Sequence, residues 1–537
     1  MAFLGLHLGL HDCNMCAYKN GKTRYSKYER QSGIKHGAGD FKWIDDTLKK
    51  WDIEWGEIEE ICMHKTDSLS FTAEMFTNID KMGIQSETAT FASPTNMLHN
   101  YINQESVGPL KNTITFGGGT TQLQQTSVIP GLISRNIQAM NTLKDKNIKI
   151  TEVDHHTLHA YSTLSKNKQA VLDGKGTGNT YGLVGDRVLT IGADGFPMGS
   201  FLTRLAMRMG LSTGNDILDS LDLPGKIMGL QSYGDEYRLY DTNIRPVKIL
   251  NDIFKYEGNT TVDDHEWVNF VASVHDKCFE YIKNIFDKEY NGTKDPISYS
   301  GGIALNVVWN TELKKYYDIE IPPYCNDEGL AIGALAYLGE KHNFEVKLDN
   351  FPFCQDDELP WDQVCSHTIK STAEALARGK IVGWYQGHGE IGPRALGNRS
   401  ILMNPTIPDG KSKINNIKKR EPWRPFGASV KQDKSKEWFN IEDSPYMLYN
   451  AQVINDNIPT VTHIDNTCRP NTVTPEINSA YYELLDHFER LTGVPILLNT
   501  SLNRMGEPIA GTRDQAIKLF NETEIDNMVI GSKTWSR

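Results

Sequence analysis

A chain of 537 residues with 39% hydrophobic and 23% charged residues has the composition of a globular protein, with room for about three or four core-forming units. This composition excludes a wholly disordered chain, and the lack of any run of about 20 apolar residues excludes a membrane-spanning segment. The net charge of −12 disfavours a broad polyanion-binding surface and favours small ligands, although it leaves room for a local basic groove.

The opening residues and the cysteines predict a cytoplasmic protein. The sequence MAFLGLHLGLHDCN has no basic n-region and reaches His and Asp too early for an export signal. The eight cysteines are mostly isolated and form no disulfide framework, as expected in a reducing compartment. Cys13 and Cys16 form a single CxxC, which we interpret as structural because a zinc site needs a second pair.

The first elements along the chain predict a β-hairpin followed by alternating helices and strands. Residues 3–10 alternate as a strand does, and Asn20-Gly21 predicts a tight turn after a second short strand. Amphipathic helical stretches at 41–51, 202–209 and 267–288 then alternate with strand-like or turn-rich stretches. This pattern predicts an α/β architecture in which helices cover a mixed sheet.

A histidine-rich box, DHHTLHA, is a candidate metal site. On a helix, His155 and His159 lie four residues apart and share a face, so both imidazoles reach one ion. Asp173, after a strand, and Asp327, before a small-residue helix, are candidate carboxylate ligands; two histidines with carboxylates suit Fe(II), Mn(II) or Zn(II). Without those carboxylates the histidine pair would be incidental.

Two glycine-containing segments are weak candidates for nucleotide contacts. One is GKIMGL at 225–230, which contains Lys226, and the other is Ser300-Gly301-Gly302 with Asn306. Each brings backbone N–H groups close to a phosphate or ribose.

Two basic stretches near each other predict a site for a small anionic phosphate compound. In GHGEIGPRALGNRS at 387–400 the glycines let the backbone approach a ligand, and we expect Arg394 and Arg399 to point into the same place. KKREPWRPFG at 418–427 places four more cations around a Trp-Pro frame. The alternative is a solvated basic loop, which is the usual interpretation of such a stretch when its charge is the only evidence.

A break in composition predicts two domains. The acidic, proline-punctuated stretch NFPFCQDDELP at 350–360 has no periodicity, so we place a linker at 346–370 between domains at 1–345 and 371–537.

The ordered motifs together resemble the NodU/CmcH-type O-carbamoyltransferases over nearly the whole chain. The resemblance is carried by HD at 11–12, DHHTLHA, GKIMGLQSYG, YSGGIALN, NDEGLAIGAL, GPRALGNRS, KKREPWRPFG and GVPILLNTSLN. It implies a large N-terminal domain of duplicated ribonuclease-H-like halves, of the actin/Hsp70 ATPase kind, and a smaller C-terminal YrdC-like α/β domain. It also implies ATP-dependent transfer of the carbamoyl group of carbamoyl phosphate, through carbamoyl adenylate, to a hydroxyl acceptor.

The resemblance implies roles for the candidate residues at the matching motif positions. His11 with Asp12 acts on the acceptor alcohol, and Lys35 stabilises charge there. The metal ligands are His155, His159, Asp173 and Asp327, with Fe2+ favoured over Mn2+ or Mg2+. Nucleotide contacts come from Lys226, Ser300, Gly301, Gly302 and Asn306, and carbamoyl phosphate contacts from Arg394, Lys418, Arg420, Arg424 and Asn499.

The effect of two departures from the usual family motifs and the identity of the acceptor stay open at this point. His388 stands where relatives often have Arg, and Met505, with Arg504 before it, where they often have a basic residue. Acceptor candidates are a hydroxymethylpyrimidine such as 5-hydroxymethylcytosine in DNA, and a sugar or natural-product hydroxyl. Competing classes are a sugar or acetate kinase of the same ATPase fold and a tRNA threonylcarbamoyl-transfer enzyme. The sequence does not indicate which oligomeric state the protein adopts.

Overall fold

A computed structural model describes residues 1–9, 11–64, 84–86, 114–116, 119–121, 138–173, 183–184, 187–190, 198–211, 221–234 and 265–537. Helices and strands alternate along these residues, which confirms the predicted mixed α/β architecture. Its helices of four residues or more include Tyr28–Ser32, Phe41–Lys50, His155–Ser162, Met198–Arg208, Leu223–Leu230, His265–Tyr290, Val307–Leu313, Leu330–His342, Ser366–Ala377, Gly410–Lys418, Ser435–Trp438, Ser479–Thr492 and Arg513–Glu522.

The first sheet is built around the N-terminal hairpin. Its strand order is Lys22–Lys27, Asn14–Lys19, Ala2–His7, Ile58–His64 and Lys149–Val153. Neighbours among the first three strands are antiparallel, and neighbours among the last three are parallel. Asn20 and Gly21 take φ values of 52° and 80°, as a two-residue hairpin turn requires. The hairpin is therefore confirmed, although its first strand ends at His7, and Leu10 lies outside the described residues.

The second sheet repeats part of this arrangement. Its order is Leu183–Val184, Arg187–Thr190, Lys168–Val171, Ile297–Ser300 and Ile319–Glu320. As in the first sheet, the earliest strand in sequence is central, and two later parallel strands lie on one side of it. The other side differs, because Arg187–Thr190 is parallel to the central strand. A separate three-stranded sheet contains Ile84–Ser86, Ile114–Phe116 and Gly119–Thr121.

Small residues hold the helix Leu330–His342 against the first sheet and the helix His155–Ser162. A β-carbon on Gly333 would lie 2.0 Å from the carbonyl oxygen of Leu158, and one on Gly5 would lie 2.2 Å from that of Ala331. No larger side chain fits at either contact, because real β-carbons do not approach so closely. This packing brings the start of one helix beside the histidine box of the other.

The C-terminal half contains one mixed eight-stranded sheet. Its order is Ala451–Gln452, Thr467–Val473, Gly427–Lys431, Ile496–Ser501, Arg399–Met403, Val382–Tyr385, Asn527–Ile530 and Lys533–Ser536. The helices Ser366–Ala377 and Ser479–Thr492 pack against each other, and their apolar faces join a core with the buried side chains of the strands.

The two halves are packed together rather than tethered. Between His342 and Ser366, which covers most of the predicted linker, the chain forms no helix and only isolated bridges. Within that stretch Gln355 bridges to Tyr25 and to Gly389. Arg30 is 1% exposed, and its guanidinium donates to carbonyl oxygens of the C-terminal half. Among the described residues, no helix combines the length and the apolar character that a membrane span needs.

Candidate functional site

The first candidate centre lies where strands of the two N-terminal sheets end. Helix His155–Ser162 begins directly after strand Lys149–Val153, and the carboxylate of Asp154 caps it by accepting the amides of His156 and Thr157. This cap fixes the helix register, so the two histidines of the predicted i,i+4 pair face the same way. Four side chains predicted as metal ligands each offer an atom within 4.8 Å of all the others: His155, His159, Asp173 and Asp327.

The geometry of this group fits a divalent cation. His155 Nε2 lies 3.2 Å from Asp173 Oδ2, and His159 Nε2 lies 3.4 Å from Asp327 Oδ1. His159 is fully buried, and neither ring nitrogen makes a hydrogen bond to any described residue. A buried imidazole with an unsatisfied nitrogen beside a carboxylate is what a bound ion would complete. Two imidazoles with two carboxylates form a donor set for Fe(II), Mn(II) or Zn(II).

The amide of Gly302, a predicted nucleotide contact, instead orients one carboxylate of this group. It donates to Asp173 Oδ1 at 3.0 Å, which leaves Oδ2 facing His155. Burial raises the pKa of Asp173, but the hydrogen bond from His155 and the charge of His159 together hold that pKa well below its usual range. Asp173 is therefore ionised and ready to bind a cation.

Two further histidines border the group, and the sequence did not single them out. His7 and His64 end two adjacent parallel strands, and their Nδ1 atoms lie 3.3 Å apart. His7 Nε2 is 3.9 Å from Asp327 Oδ2. The available signal was that parallel strands present their carboxyl ends at the same sheet edge, which places both imidazoles together.

The predicted catalytic pair lies directly beside this centre. His11 Nδ1 is 3.1 Å from Asp12 Oδ2 and 3.9 Å from Asp327 Oδ2. Asp12 also bonds His36 Nδ1 at 3.0 Å, and it has a positive φ of 53°. With Nδ1 of His11 facing a carboxylate, its Nε2 is left to exchange a proton with a substrate. Although burial opposes it, Asp12 raises the pKa of His36 to about 10.

A buried ion network supports Asp12 from behind. Lys27 is 2% exposed, and its Nζ lies 3.0 Å from Asp12, 3.0 Å from Glu29 and 2.9 Å from Glu328. Asp12, Glu29 and His36 are close enough to hold a metal ion, but the ammonium of Lys27 already compensates their negative charge. We therefore assign this second cluster to structure rather than to metal binding.

Lys35, the third predicted catalytic residue, forms an ion pair with Asp222. Asp222 immediately precedes helix Leu223–Leu230, and His36 Nε2 lies 3.5 Å from its Oδ1. Lys35 and His36 therefore approach Asp222 together, and Lys35 lies at the edge of the predicted catalytic pair rather than at its centre.

The other predicted nucleotide contacts make bonds within the protein. Ser300 Oγ donates to the carbonyl of His159 at 2.9 Å. Gly301 has a φ of 97°, and a β-carbon there would lie 2.1 Å from the carbonyl oxygen of Leu172. Asn306 caps helix Val307–Leu313, with its carboxamide 2.9 Å from a nitrogen of His275. Lys226 is buried and bonds Glu421 of the C-terminal half at 2.5 Å. Nucleotide binding by these residues therefore stays a prediction.

The second candidate centre is a group of cations in the C-terminal half. The pKa of Lys418 is held well below its usual range by burial and then by the charges of Arg420 and Arg424. Lys418 Nζ donates only to neutral described groups, the carbonyl and side-chain oxygens of Ser501 and Asn503. The Arg420 guanidinium donates to Asn415 and to a carbonyl and lies 4.2 Å over the ring of Phe426. A group of cations with few carboxylates near it suits an anionic ligand.

The same cluster contains Arg469, which was not a predicted ligand. Burial, and then the charge of Arg394, hold the pKa of Arg469 well below its usual range. Its Nε makes no hydrogen bond to any described residue. The pKa of Arg394 is also lowered, by burial and by Arg424 among its neighbours. Arg394 and Arg424, both predicted phosphate ligands, thus belong to one mutually repelling group with Arg469.

Asn499, the neutral predicted ligand, lies in strand Ile496–Ser501 and is almost fully buried. Its Nδ2 donates to the carbonyl of Ala395 and to Ser429 Oγ, while Oδ1 has no hydrogen-bond partner among the described residues. The contact with Ala395 joins it to the residue that follows Arg394.

Arg399 does not join Arg394, contrary to expectation. Its guanidinium is fully buried, donates to backbone carbonyls that include Gln386 and Gly387, and lies 3.4 Å from Asp357. The glycine-rich segment also approaches protein rather than leaving room for a ligand. A β-carbon on Gly392, where φ is 94°, would lie 2.2 Å from the carbonyl oxygen of Pro323. Backbone packing therefore explains this glycine.

Family models match both halves of the chain. The model described as Carbamoyltransferase N-terminus matches residues 3–336, and Carbamoyltransferase C-terminus matches residues 373–537. The chain belongs to the carbamoyltransferase family. The resemblance to NodU/CmcH-type O-carbamoyltransferases is thereby confirmed, since Nodulation protein U of Bradyrhizobium diazoefficiens and 3'-hydroxymethylcephem-O-carbamoyltransferases are also similar to the chain.

Several relatives are about 30% identical to the chain over the aligned residues. Nodulation protein NolNO of Sinorhizobium fredii is 30% identical over 440 residues, 72% of this chain and 63% of that protein. The 3'-hydroxymethylcephem-O-carbamoyltransferase of Streptomyces clavuligerus is 31% identical over 341 residues, 58% of this chain and 64% of that protein. The chain thus covers less than two thirds of the length of these relatives.

A solved structure, component A of the (R)-2-hydroxyglutaryl-CoA dehydratase of Acidaminococcus fermentans, aligns with 64% of this chain and 99% of its own, at a TM-score of 0.33 and 11% identity. That likeness is too slight to inform the fold.

The two departures from the usual carbamoyltransferase motifs add no unpaired charge to the cation cluster, although the amide of Met505 donates to the carbonyl of Lys418 at 2.9 Å. Arg504, which precedes Met505, forms ion pairs with Glu507 and with Glu522, so its charge is already compensated. His388 is half-buried, and burial lowers its pKa. Neither residue therefore adds a positive charge to the group around Arg469.

Proposed function

We propose that this protein is an ATP-dependent O-carbamoyltransferase that moves the carbamoyl group of carbamoyl phosphate to a hydroxyl. In the first step water converts carbamoyl phosphate to carbamate and inorganic phosphate. Carbamate then attacks the α-phosphorus of ATP, which forms carbamoyl adenylate and releases pyrophosphate. Finally the acceptor oxygen attacks the carbamoyl carbon, AMP leaves, and the acceptor proton passes to a base.

The observation that carries this proposal is the group of unpaired cations in the C-terminal half of a carbamoyltransferase-family chain. Burial and mutual repulsion lower the pKa values of Lys418, Arg420 and Arg469. Desolvating such a group costs free energy, and a bound anion would offset that cost. A phosphate ester with two or three accessible oxygens suits arginine forks and a lysine at these positions.

We also propose which fold family each half of the chain belongs to. Each N-terminal sheet has a central earliest strand with two later parallel strands on one side. This shared arrangement supports two ribonuclease-H-like halves for residues 1–345. We assign residues 371–537, with their mixed sheet, to a YrdC-like domain, after a junction at 346–370.

A divalent ion held by His155, His159, Asp173 and Asp327 would supply positive charge for nucleotide phosphate oxygens. These side chains fit such an ion because His159 is buried with unsatisfied nitrogens and faces a carboxylate. His155 and His159 would hold the ion through imidazole nitrogens, together with Asp173, which the Gly302 amide fixes in place.

The acceptor alcohol would meet His11 beside this centre. Asp12 accepts from Nδ1 of His11, so Nε2 takes the hydroxyl proton as the oxygen attacks. Lys27 and His36 keep Asp12 ionised. We assign nucleotide contacts to the neighbouring loop of Ser300, Gly301, Gly302 and Asn306, and carbamoyl phosphate contacts to Arg394, Lys418, Arg420, Arg424 and Asn499, with Arg469 added. We propose that the enzyme acts in the cytoplasm.

We propose a hydroxymethyl group on a small heterocycle as the acceptor. The 3'-hydroxymethylcephem-O-carbamoyltransferases are named for such a group. A hydroxymethylpyrimidine in DNA has the same reactive group, but a base in duplex DNA would have to leave the stack first.

The test is a reaction of the purified protein with carbamoyl phosphate, ATP and a divalent metal. Acceptors in the panel are hydroxymethylated nucleosides, hydroxymethylated DNA, sugars and cephem alcohols, and mass spectrometry follows gain of a carbamoyl group. We expect pyrophosphate and AMP, because a kinase would instead give ADP. Dependence on carbamoyl phosphate separates the proposal from threonylcarbamoyl transfer, which would need threonine and bicarbonate. If pyrophosphate release does not depend on carbamoyl phosphate, the proposal is wrong.

A further inference from the structure

Lys226 makes the buried ion pair that joins an N-terminal helix to the cation cluster. Its side chain is 4% exposed, and Nζ lies 2.5 Å from Glu421 Oε1 and 2.7 Å from the carbonyl oxygen of Leu211. The ion pair joins residues 195 positions apart in sequence. Lys226 therefore contacts the C-terminal half through one specific carboxylate.

Glu421 is a carboxylate that lies within ion-pair distance of the cation cluster. It lies between Arg420 and Arg424 in sequence, and its Oε2 is 3.8 Å from Arg424 Nη1. Oε2 makes no hydrogen bond to any described residue, whereas Oε1 is bonded by Lys226. If Lys226 released it, Glu421 could turn further toward Arg424 and shorten this loose 3.8 Å ion pair into a direct hydrogen bond, and it would then compete with a bound anion for that guanidinium.

The surrounding contacts hold Lys226 in position. Helix Leu223–Leu230 packs on the segment after Glu421, where a β-carbon on Gly229 would lie 3.3 Å from the ring of Trp423. Tyr233 donates its hydroxyl hydrogen to the carbonyl of Trp423 at 2.9 Å. The lysine therefore has little freedom to leave the carboxylate.

We infer that Lys226 is a positioning residue that restrains Glu421 and so keeps Arg424 available for the phosphate group of the carbamoyl donor. This role rests on the proposed anion site, and it differs from the nucleotide contact expected for Lys226 from the sequence. It predicts that the two residues are coupled. Removing Lys226 harms anion binding only while Glu421 is present to occupy Arg424.

The experiment measures binding of carbamoyl phosphate, inorganic phosphate and ATP to the full chain by calorimetry, for Lys226→Met, Lys226→Arg, Glu421→Gln and the Lys226→Met/Glu421→Gln double variant. We expect Lys226→Met to weaken binding of both phosphate ligands about 10-fold, which corresponds to about 1.4 kcal/mol. Lys226→Arg and Glu421→Gln should bind within about 3-fold of the wild type, and the double variant should recover to the same range. ATP affinity should stay unchanged in all four variants.

Thermal unfolding of the same variants separates coupling from loss of fold. If Lys226→Met binds phosphate weakly and the double variant shows no recovery although it melts like the wild type, the inference is wrong. A selective loss of ATP affinity in Lys226→Met would overturn it in favour of the nucleotide contact. Wild-type protein that binds neither phosphate ligand would instead refute the proposed anion site, and this role with it.

Discussion

Replacing Arg469 by Met should make the ligand-free protein more stable and its anion site weaker. The side chain is half-buried among cations, and its Nε has no hydrogen-bond partner among the described residues. An uncompensated, partly buried cation costs about 1–2 kcal/mol, a fraction of the penalty for a fully buried ion. For a domain of about 165 residues this corresponds to a rise in melting temperature of roughly 2–6 °C.

The opposite sign is expected for ligand binding. A charge-assisted hydrogen bond to phosphate contributes about 1.5–3 kcal/mol, so affinity for carbamoyl phosphate should fall about 10- to 150-fold. Arg504→Met is the matched control, because Arg504 is compensated by Glu507 and Glu522. That variant should melt lower and keep its phosphate affinity. Thermal unfolding with calorimetric titration measures both quantities, and a lower melting temperature with unchanged affinity in Arg469→Met would refute the reasoning.

Three further changes test other parts of the molecule. His159→Ala should lower bound iron or manganese at least 10-fold by elemental analysis, while His156→Ala retains it; equal metal content in the two would contradict the ligand assignment. Lys27→Met should destabilise the fold by about 3–5 kcal/mol in urea, because three buried acids lose their cation, and a change below 1 kcal/mol would show that they do not depend on it. Although burial raises the pKa of Glu60, hydrogen bonds from Lys341, Thr151 and other partners lower it to about 2. At pH values above the usual pKa of 4.5, this depressed pKa contributes about 2 kcal/mol to the free energy of unfolding. That contribution is lost as pH falls from about 5 to 2. The stability of Glu60→Gln should therefore vary less with pH over that range than the stability of the wild type.

The candidate metal ligands could be grouped from sequence because local rules place them. His155 and His159 share a face through helix periodicity alone, and Asp173 follows a strand whose end is a usual place for functional groups. Asp327 was a candidate because it precedes a helix of small residues, and those residues do pack closely in the structure. Whether the four bind a metal stays a prediction.

The partners of charged side chains could not be predicted in the same way. Arg394 and Arg399 are five positions apart in one motif, yet Arg399 begins a fully buried strand and bonds carbonyls, while Arg394 has cations for neighbours. Lys27 and Glu29 are close in sequence, but Glu328 comes from a distant segment, and its approach to Lys27 depends on tertiary packing. Periodicity predicts which face a residue occupies, but not which charge lies opposite it.

Arg30 places a guanidinium from the N-terminal half inside the C-terminal half, against the carbonyls of Glu390 and Gly392. A β-carbon on Gly511 would lie 2.2 Å from the carbonyl oxygen of Arg30, so the backbone too is enclosed at this point. Separating the two halves would remove these hydrogen-bond acceptors from the Arg30 guanidinium. We therefore expect the two halves to stay in contact at Arg30, and either half expressed by itself to expose this buried contact to water.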